Sequence, residues 1–194
     1  GLKDIVRKIS LRWWNAYSFF INYANVDQFT PKGEFKNTPN ILDQWVLSKL
    51  NSLILQTNEQ MKAYRIYAVV PSLLQFIEDL TNTYIRFNRR HFWQEEMPKD
   101  KKAAYETLYY VLRVLSKVMA PFTPFMADAT YKNLSSVLPK AKESVHLESF
   151  PKSDQSLINK DLESAVERMK QLVLMGRNLR EKMKVRAKIP LKEL

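Results

Sequence analysis

Apolar positions recur along this chain at helical spacing almost from end to end. Between residues 41 and 54, Leu42, Trp45, Val46, Leu50, Leu53 and Ile54 fall on one stripe. Asn40 stands before it as an N-cap, with Asp43 three positions on as a short capping-box partner. A second stripe of Leu73, Phe76, Ile77, Leu80, Tyr84 and Phe87 predicts a helix from about residue 72 into the nineties. Pro71 either starts that helix or kinks a longer one beginning near Tyr64. The third stripe reads Ala104, Leu108, Val111, Leu112, Leu115, Val118 and Met119, and Pro121 and Pro124 end it. A short helix is expected at about 126–137. The last stripe is Leu162, Ala165, Val166, Met169, Leu172, Val173, Gly176 and Leu179. Ahead of all these, residues 2–24 carry a further stripe of Ile5, Ile9, Trp13, Ala16 and Phe20. Loops fall at 25–39 and 138–158, and 145–150 is the one extended candidate. No alternation lasts long enough to build a sheet, so the pattern predicts an all-α helix bundle.

Composition narrows what such a bundle can do. The 194 residues are 45% hydrophobic and 12% aromatic, enough for a sizeable core and too apolar for a disordered chain. Three glycines in the whole chain exclude Gly-rich phosphate loops. The absence of cysteine excludes disulfides, a thiol nucleophile and a thiolate zinc site. His91 and His146 alone cannot build a metal site, so no metal is expected. No apolar run approaches the ~20 residues that span a bilayer, and the N-terminus lacks the features of a signal peptide. These readings give a cytoplasmic domain with no membrane partner, expected to be a monomer. The chain opens on Gly1, expected to be a cloning remnant on a piece of a longer protein.

Charge points to a partner. The net charge is +11, and +7 of it lies from Arg168 onward, where nine basic groups face only Glu181 and Glu193. A polyanion is the natural partner, against the plainer reading of a solvated basic face. Catalysis finds little support. Glu78 with Asp79, and Glu95 with Glu96, are sequence neighbours, which point apart on a helix. They read as surface or salt-bridging residues, and no catalytic residue is expected. His91 continues an inward stripe and reads as packing.

Two stretches suit nucleic acid. Asn82, Arg86, Arg89 and Trp93 recur at i, i+4, i+7 and i+11 and share a helix face, with Arg90 alongside. An amide, guanidiniums and an indole are the set that reads a base edge, holds phosphate and stacks an unpaired base. The competing reading has Trp93 and Phe92 capping the core while the arginines pair with Glu95, Glu96 or Asp79. Near the C-terminus, Arg177, Arg180 and Lys184 form a basic stripe, continued by Lys182, Arg186 and Lys188, suited to phosphate. Gly176 interrupts that helix at a cost of about 1 kcal/mol, which close helix approach would offset.

The order of the motifs carries a family resemblance. The run Leu42-Asp-Gln-Trp-Val-Leu-Ser-Lys-Leu50 is followed by Phe76-Ile-Glu-Asp-Leu-Thr-Asn-Thr-Tyr-Ile-Arg86 and Arg89-Arg-His-Phe-Trp93. Next come Ala104-Tyr-Glu-Thr-Leu108, Met119-Ala-Pro-Phe-Thr-Pro-Phe-Met126 and Ser144-Val-His-Leu147. Together they resemble the anticodon-binding domain of class I aminoacyl-tRNA synthetases of the isoleucine, valine and leucine group. Arg12-Trp-Trp-Asn-Ala-Tyr-Ser-Phe-Phe20 and Lys184-Val-Arg-Ala-Lys-Ile-Pro-Leu191 make it most similar to isoleucyl-tRNA synthetases.

That resemblance implies a helix bundle over 1–183 that meets the anticodon arm of tRNA, with 184–194 opening a further C-terminal subdomain. It implies ATP and Mg for a whole parent enzyme, a ligase, and no cofactor for this chain. The family's His-x-Gly-His element and Lys-Met-Ser-Lys-Ser loop do not occur here. The site residues expected to meet tRNA are Asn82, Arg86, Arg89, Arg90, Trp93, Arg177, Arg180 and Lys184. The rival readings are the same domain of a valyl-tRNA synthetase, a basic helical protein-interaction module, and an amphipathic membrane-surface domain. The last is weakened by the lack of a bulky aromatic on the final apolar stripe.

Overall fold

A computed structural model of the chain describes residues 10–32, 38–186 and 189. The chain divides into two compact units, one ending at Ile158 and one starting at Asn159. The first holds α1 (Arg12–Val26), α2 (Ile41–Lys62), α3 (Ile66–Asp79), a π-helical turn (Leu80–Ile85), α4 (Arg86–Phe92), α5 (Lys99–Met119) and α6 (Pro124–Ser135). Two 3-10 turns, Val145–Leu147 and Gln155–Leu157, follow. The second unit is built on α7 (Lys160–Lys182). No strand occurs among the described residues, so the architecture is all-α.

Helix α2 packs along α3 and α5, and α5 carries α6 on another side. The α5 stripe is the centre of the core: all seven of its expected inward residues, Ala104 to Met119, are fully buried. In α1, Trp13, Ala16 and Phe20 are buried as the spacing predicts, while Ile5 and Ile9 lie outside the described residues. Asn40 caps α2, accepting from the Leu42 and Asp43 amides at 2.8 and 3.4 Å. Asp43 is too short to reach back as a capping-box partner and turns inward instead. Its carboxylate accepts from Tyr84 Oη at 2.6 Å and Thr38 Oγ1 at 3.1 Å. Burial raises its pKa above the usual carboxylate range, against the pull of those two donors. Pro71 lies inside α3, so the longer of the two helices that the sequence allowed is the one formed.

Three expectations are corrected. The 145–150 segment is not extended: Ser144 caps a 3-10 turn there, and Asp128 ties it down, accepting from Ser144 Oγ at 2.6 Å and the Val145 amide at 3.0 Å. In α7 only Val166 is buried, and Leu172, expected inward, is 68% exposed. The open surroundings of Gly176 also remove the expected reason for it, since a Cβ there would meet no atom within 4 Å.

The third correction concerns the long stripe of α3. A π turn holds one residue more than an α turn, so every position after it is delayed by one. Phe87 and His91, expected on the inner face, give way to Asn88 and Phe92, which are buried, while Phe87 is exposed. His91 is left half-buried. The exchange leaves the Asn88 amide fully buried, with neither its oxygen nor its nitrogen bonded among the described residues. An unsatisfied buried amide costs about 1–3 kcal/mol. Asn88→Leu, close to it in volume, is therefore expected to stabilise the protein by about that amount. A urea midpoint that falls instead would show that the amide is bonded in solution.

Candidate nucleic-acid interface

The π turn also sets which side chains of α4 face solvent. Asn82, within the turn, and Arg86, Arg89, Arg90 and Trp93 after it are all exposed. Asn82 Nδ2 lies 3.5 Å from Glu78 Oε1, the outer limit for a hydrogen bond, and Glu78 itself pairs with Arg12 at 3.4 Å. None of the three arginines is ion-paired among the described residues. Asp79, a possible partner by sequence, is buried and pairs with Lys49 at 3.2 Å. Glu95 and Glu96 are exposed and hold no arginine. Free guanidiniums beside an exposed indole fit phosphate and base recognition better than a capped core.

Phe92 and Trp93, adjacent in sequence, take opposite roles. Phe92 is buried and meets Tyr105 edge-on at 5.0 Å. Trp93 is 56% exposed, yet its ring is held at two points. Its Nε1–H donates to Tyr23 Oη at 2.7 Å, and the Arg89 guanidinium carbon lies 5.5 Å from the ring centroid. The second contact is a cation–π pair one helical turn apart.

Below this face sits a buried cation. Lys101, in the first turn of α5, is 1% exposed at its side chain, and its Nζ lies 2.7 Å from Asp27 Oδ2 and donates to the Gln94 carbonyl at 2.5 Å. Tyr105 Oη donates to the same Asp27 carboxylate. Burial first, and then that carboxylate, push the Tyr105 phenol far above its ordinary range, so it stays a donor. A lysine this early in a helix opposes the helix dipole, and burying it demands a partner. That combination, on an inward position one turn ahead of Ala104 and Tyr105, was the signal available in the sequence. Our reading of the sequence missed it, along with Tyr23 and Asp27.

In the second unit, Arg177 is exposed and has no partner among the described residues. Arg180 is half-buried and spends part of its guanidinium on carbonyls, donating Nη1–H to Arg186 at 3.2 Å and Ile189 at 2.9 Å. Lys184 is exposed at the helix end with φ 54°. Lys188 lies outside the described residues. Among the described residues no cluster of His, Asp and Glu could hold a metal, and no helix is long and apolar enough to cross a membrane.

Comparison with known proteins places this arrangement. Residues 43–194 match the family model described as the anticodon-binding domain of tRNA ligase. The chain belongs to that family. The anticodon-binding domain is 65% identical over its full length to an isoleucine–tRNA ligase of Bdellovibrio bacteriovorus. It is 40% and 41% identical, again across the whole chain, to isoleucine–tRNA ligases of Clostridium tetani and Clostridium novyi. The domain spans about a fifth of the length of these relatives, 18% of the first and 19% of the others.

Proposed function

We propose that this anticodon-binding domain holds the anticodon arm of isoleucine tRNA for a cytoplasmic, ATP- and Mg-dependent isoleucine–tRNA ligase. The observation that carries the reading is the exposed face of Arg86, Arg89, Arg90 and Trp93, unpaired by acids, on a domain of this family. Asn82 belongs to the same proposed face. The identity to three isoleucine–tRNA ligases supports isoleucine over valine. The domain's part is positional. Arginines and lysines draw in the phosphates, which supply affinity without sequence information, and Asn82 and Trp93 discriminate by base-edge bonding and stacking. Binding energy gained here is used to place the acceptor end for chemistry elsewhere in the ligase. ATP and Mg would act in that other part, and no residue of this chain is assigned to hold them.

The two residue sets should separate in one experiment on the whole ligase. Neutralising Arg177 and Arg180 together as Gln is expected to weaken every tRNA alike. The plot of log affinity against log salt should flatten by roughly one unit for each phosphate no longer neutralised. Trp93→Ala carries no charge change and should cost about 1–3 kcal/mol for the matching anticodon while leaving the salt slope alone. Charging should fall and amino-acid activation should not. A folded Trp93→Ala ligase that charges isoleucine tRNA normally would remove Trp93 from the reading. Efficient charging of valine tRNA by the unsubstituted enzyme would replace the isoleucine assignment.

A further inference from the structure

An exposed indole used for stacking must lose its freedom when a base arrives, unless the protein has already taken it. Trp93 is the first residue past α4, where the chain leaves the helix and rotamers are least restrained. Even so, its ring is fixed along one edge by the 2.7 Å bond to Tyr23 Oη and across one face by Arg89. The acceptor is itself anchored. Tyr23 packs at 4.7 Å on Phe19, and Phe19 meets buried Phe92 edge-on at 5.2 Å.

The two backbones involved are tied as well. Asp27 caps the end of α1 four residues after Tyr23, and Gln94 directly follows Trp93. Lys101 Nζ bridges the Asp27 carboxylate and the Gln94 carbonyl at 2.7 and 2.5 Å. One buried ammonium therefore fixes the spacing of the helix end that carries the acceptor and the helix end that carries the donor.

We infer that Tyr23 is a positioning residue for RNA recognition. Its hydroxyl pins the Trp93 indole so that the exposed ring is already set to stack an unpaired base, with the Lys101–Asp27 bridge holding the two helix ends in register. The inference rests on the reading of Trp93 as a base-contacting residue. A hydrogen bond between half-exposed groups adds little to folding, because both partners bond water when the chain unfolds. Its effect should appear in binding, where freezing a side chain beforehand removes an ordering cost worth about three- to tenfold in affinity.

The test uses the whole ligase labelled with fluorotryptophan and an anticodon stem-loop RNA bearing an isoleucine anticodon. The Trp93 resonance is assigned by its loss in Trp93→Phe. Tyr23→Phe keeps the ring and removes only the acceptor. It is expected to leave the melting midpoint and the salt slope unchanged, shift and broaden the Trp93 resonance, and weaken RNA binding about three- to tenfold. In a Trp93→Phe background there is no N–H to donate, so Tyr23→Phe should change affinity no further. An equal loss in that background would show that Tyr23 reaches RNA by another route and would overturn the inference. Unchanged binding by Tyr23→Phe, with binding lost in Trp93→Ala, would also overturn it and leave the reading of Trp93 intact. Normal binding by Trp93→Ala would bring both down.

Discussion

Asp27→Ala is expected to cost about 3–5 kcal/mol of folding stability, because it strands the Lys101 ammonium inside the protein with only the Gln94 carbonyl to meet it. The converse change should cost less. Lys101→Met keeps the volume, and the Asp27 carboxylate left behind still accepts from Tyr105. That carboxylate also keeps some access to water, its side chain being 15% exposed against 1% for the lysine. The asymmetry separates an uncompensated buried charge from a simple loss of attraction, which would be the same from either side. Urea melts of the two variants measure it directly. Equal costs, or a larger cost for Lys101→Met, would mean that water reaches the ammonium and that the bridge is a surface ion pair.

The second large effect is Leu108→Ala, expected to cost about 2–5 kcal/mol. Leu108 is fully buried at the middle of α5, between Ala104 and Leu112 on the stripe that α2 and α6 close over. The surroundings are helices on several sides, which cannot collapse far into the space of a removed isobutyl group. Leu172→Ala is the internal control. In α7 that side chain is mostly exposed, so its loss should stay within about 0.5 kcal/mol. Thermal midpoints that move together in the two variants would show that the α7 stripe is covered in solution.

The contrast between these leucines shows how far a periodic pattern can be read. The α5 stripe was legible because seven apolar positions repeat without interruption and proline ends the run. Leu172 belongs to a stripe of equal quality, and period alone carries no information about whether a partner covers it. The α3 stripe failed differently. Nothing in Leu80–Ile85 announces a π turn, since the extra residue follows from how the helix fits its neighbours. The shift of Asn88 and Phe92 inward was therefore invisible from spacing. The exposed set of Asn82, Arg86, Arg89 and Trp93 could be named in advance because those residues are costly to bury whichever way the helix turns. Tyr23 could not, because its partner lies 70 positions away and a tyrosine in an aromatic-rich helix reads as packing.

The π turn also limits how this stretch can vary. A substitution within Leu80–Ile85 alters one side chain, whereas losing a single residue there would restore the ordinary helical repeat and rotate everything that follows by about 100°. Phe87 and His91 would swing to the inside, and the arginines and Trp93 would be carried round to another side of the helix. Tyr23 would then lose its indole, and Lys101 would meet a different carbonyl. Length is thus the guarded quantity in these six positions. In an alignment of such domains, a one-residue gap here would mark a different surface offered to the partner, even where every flanking residue matched.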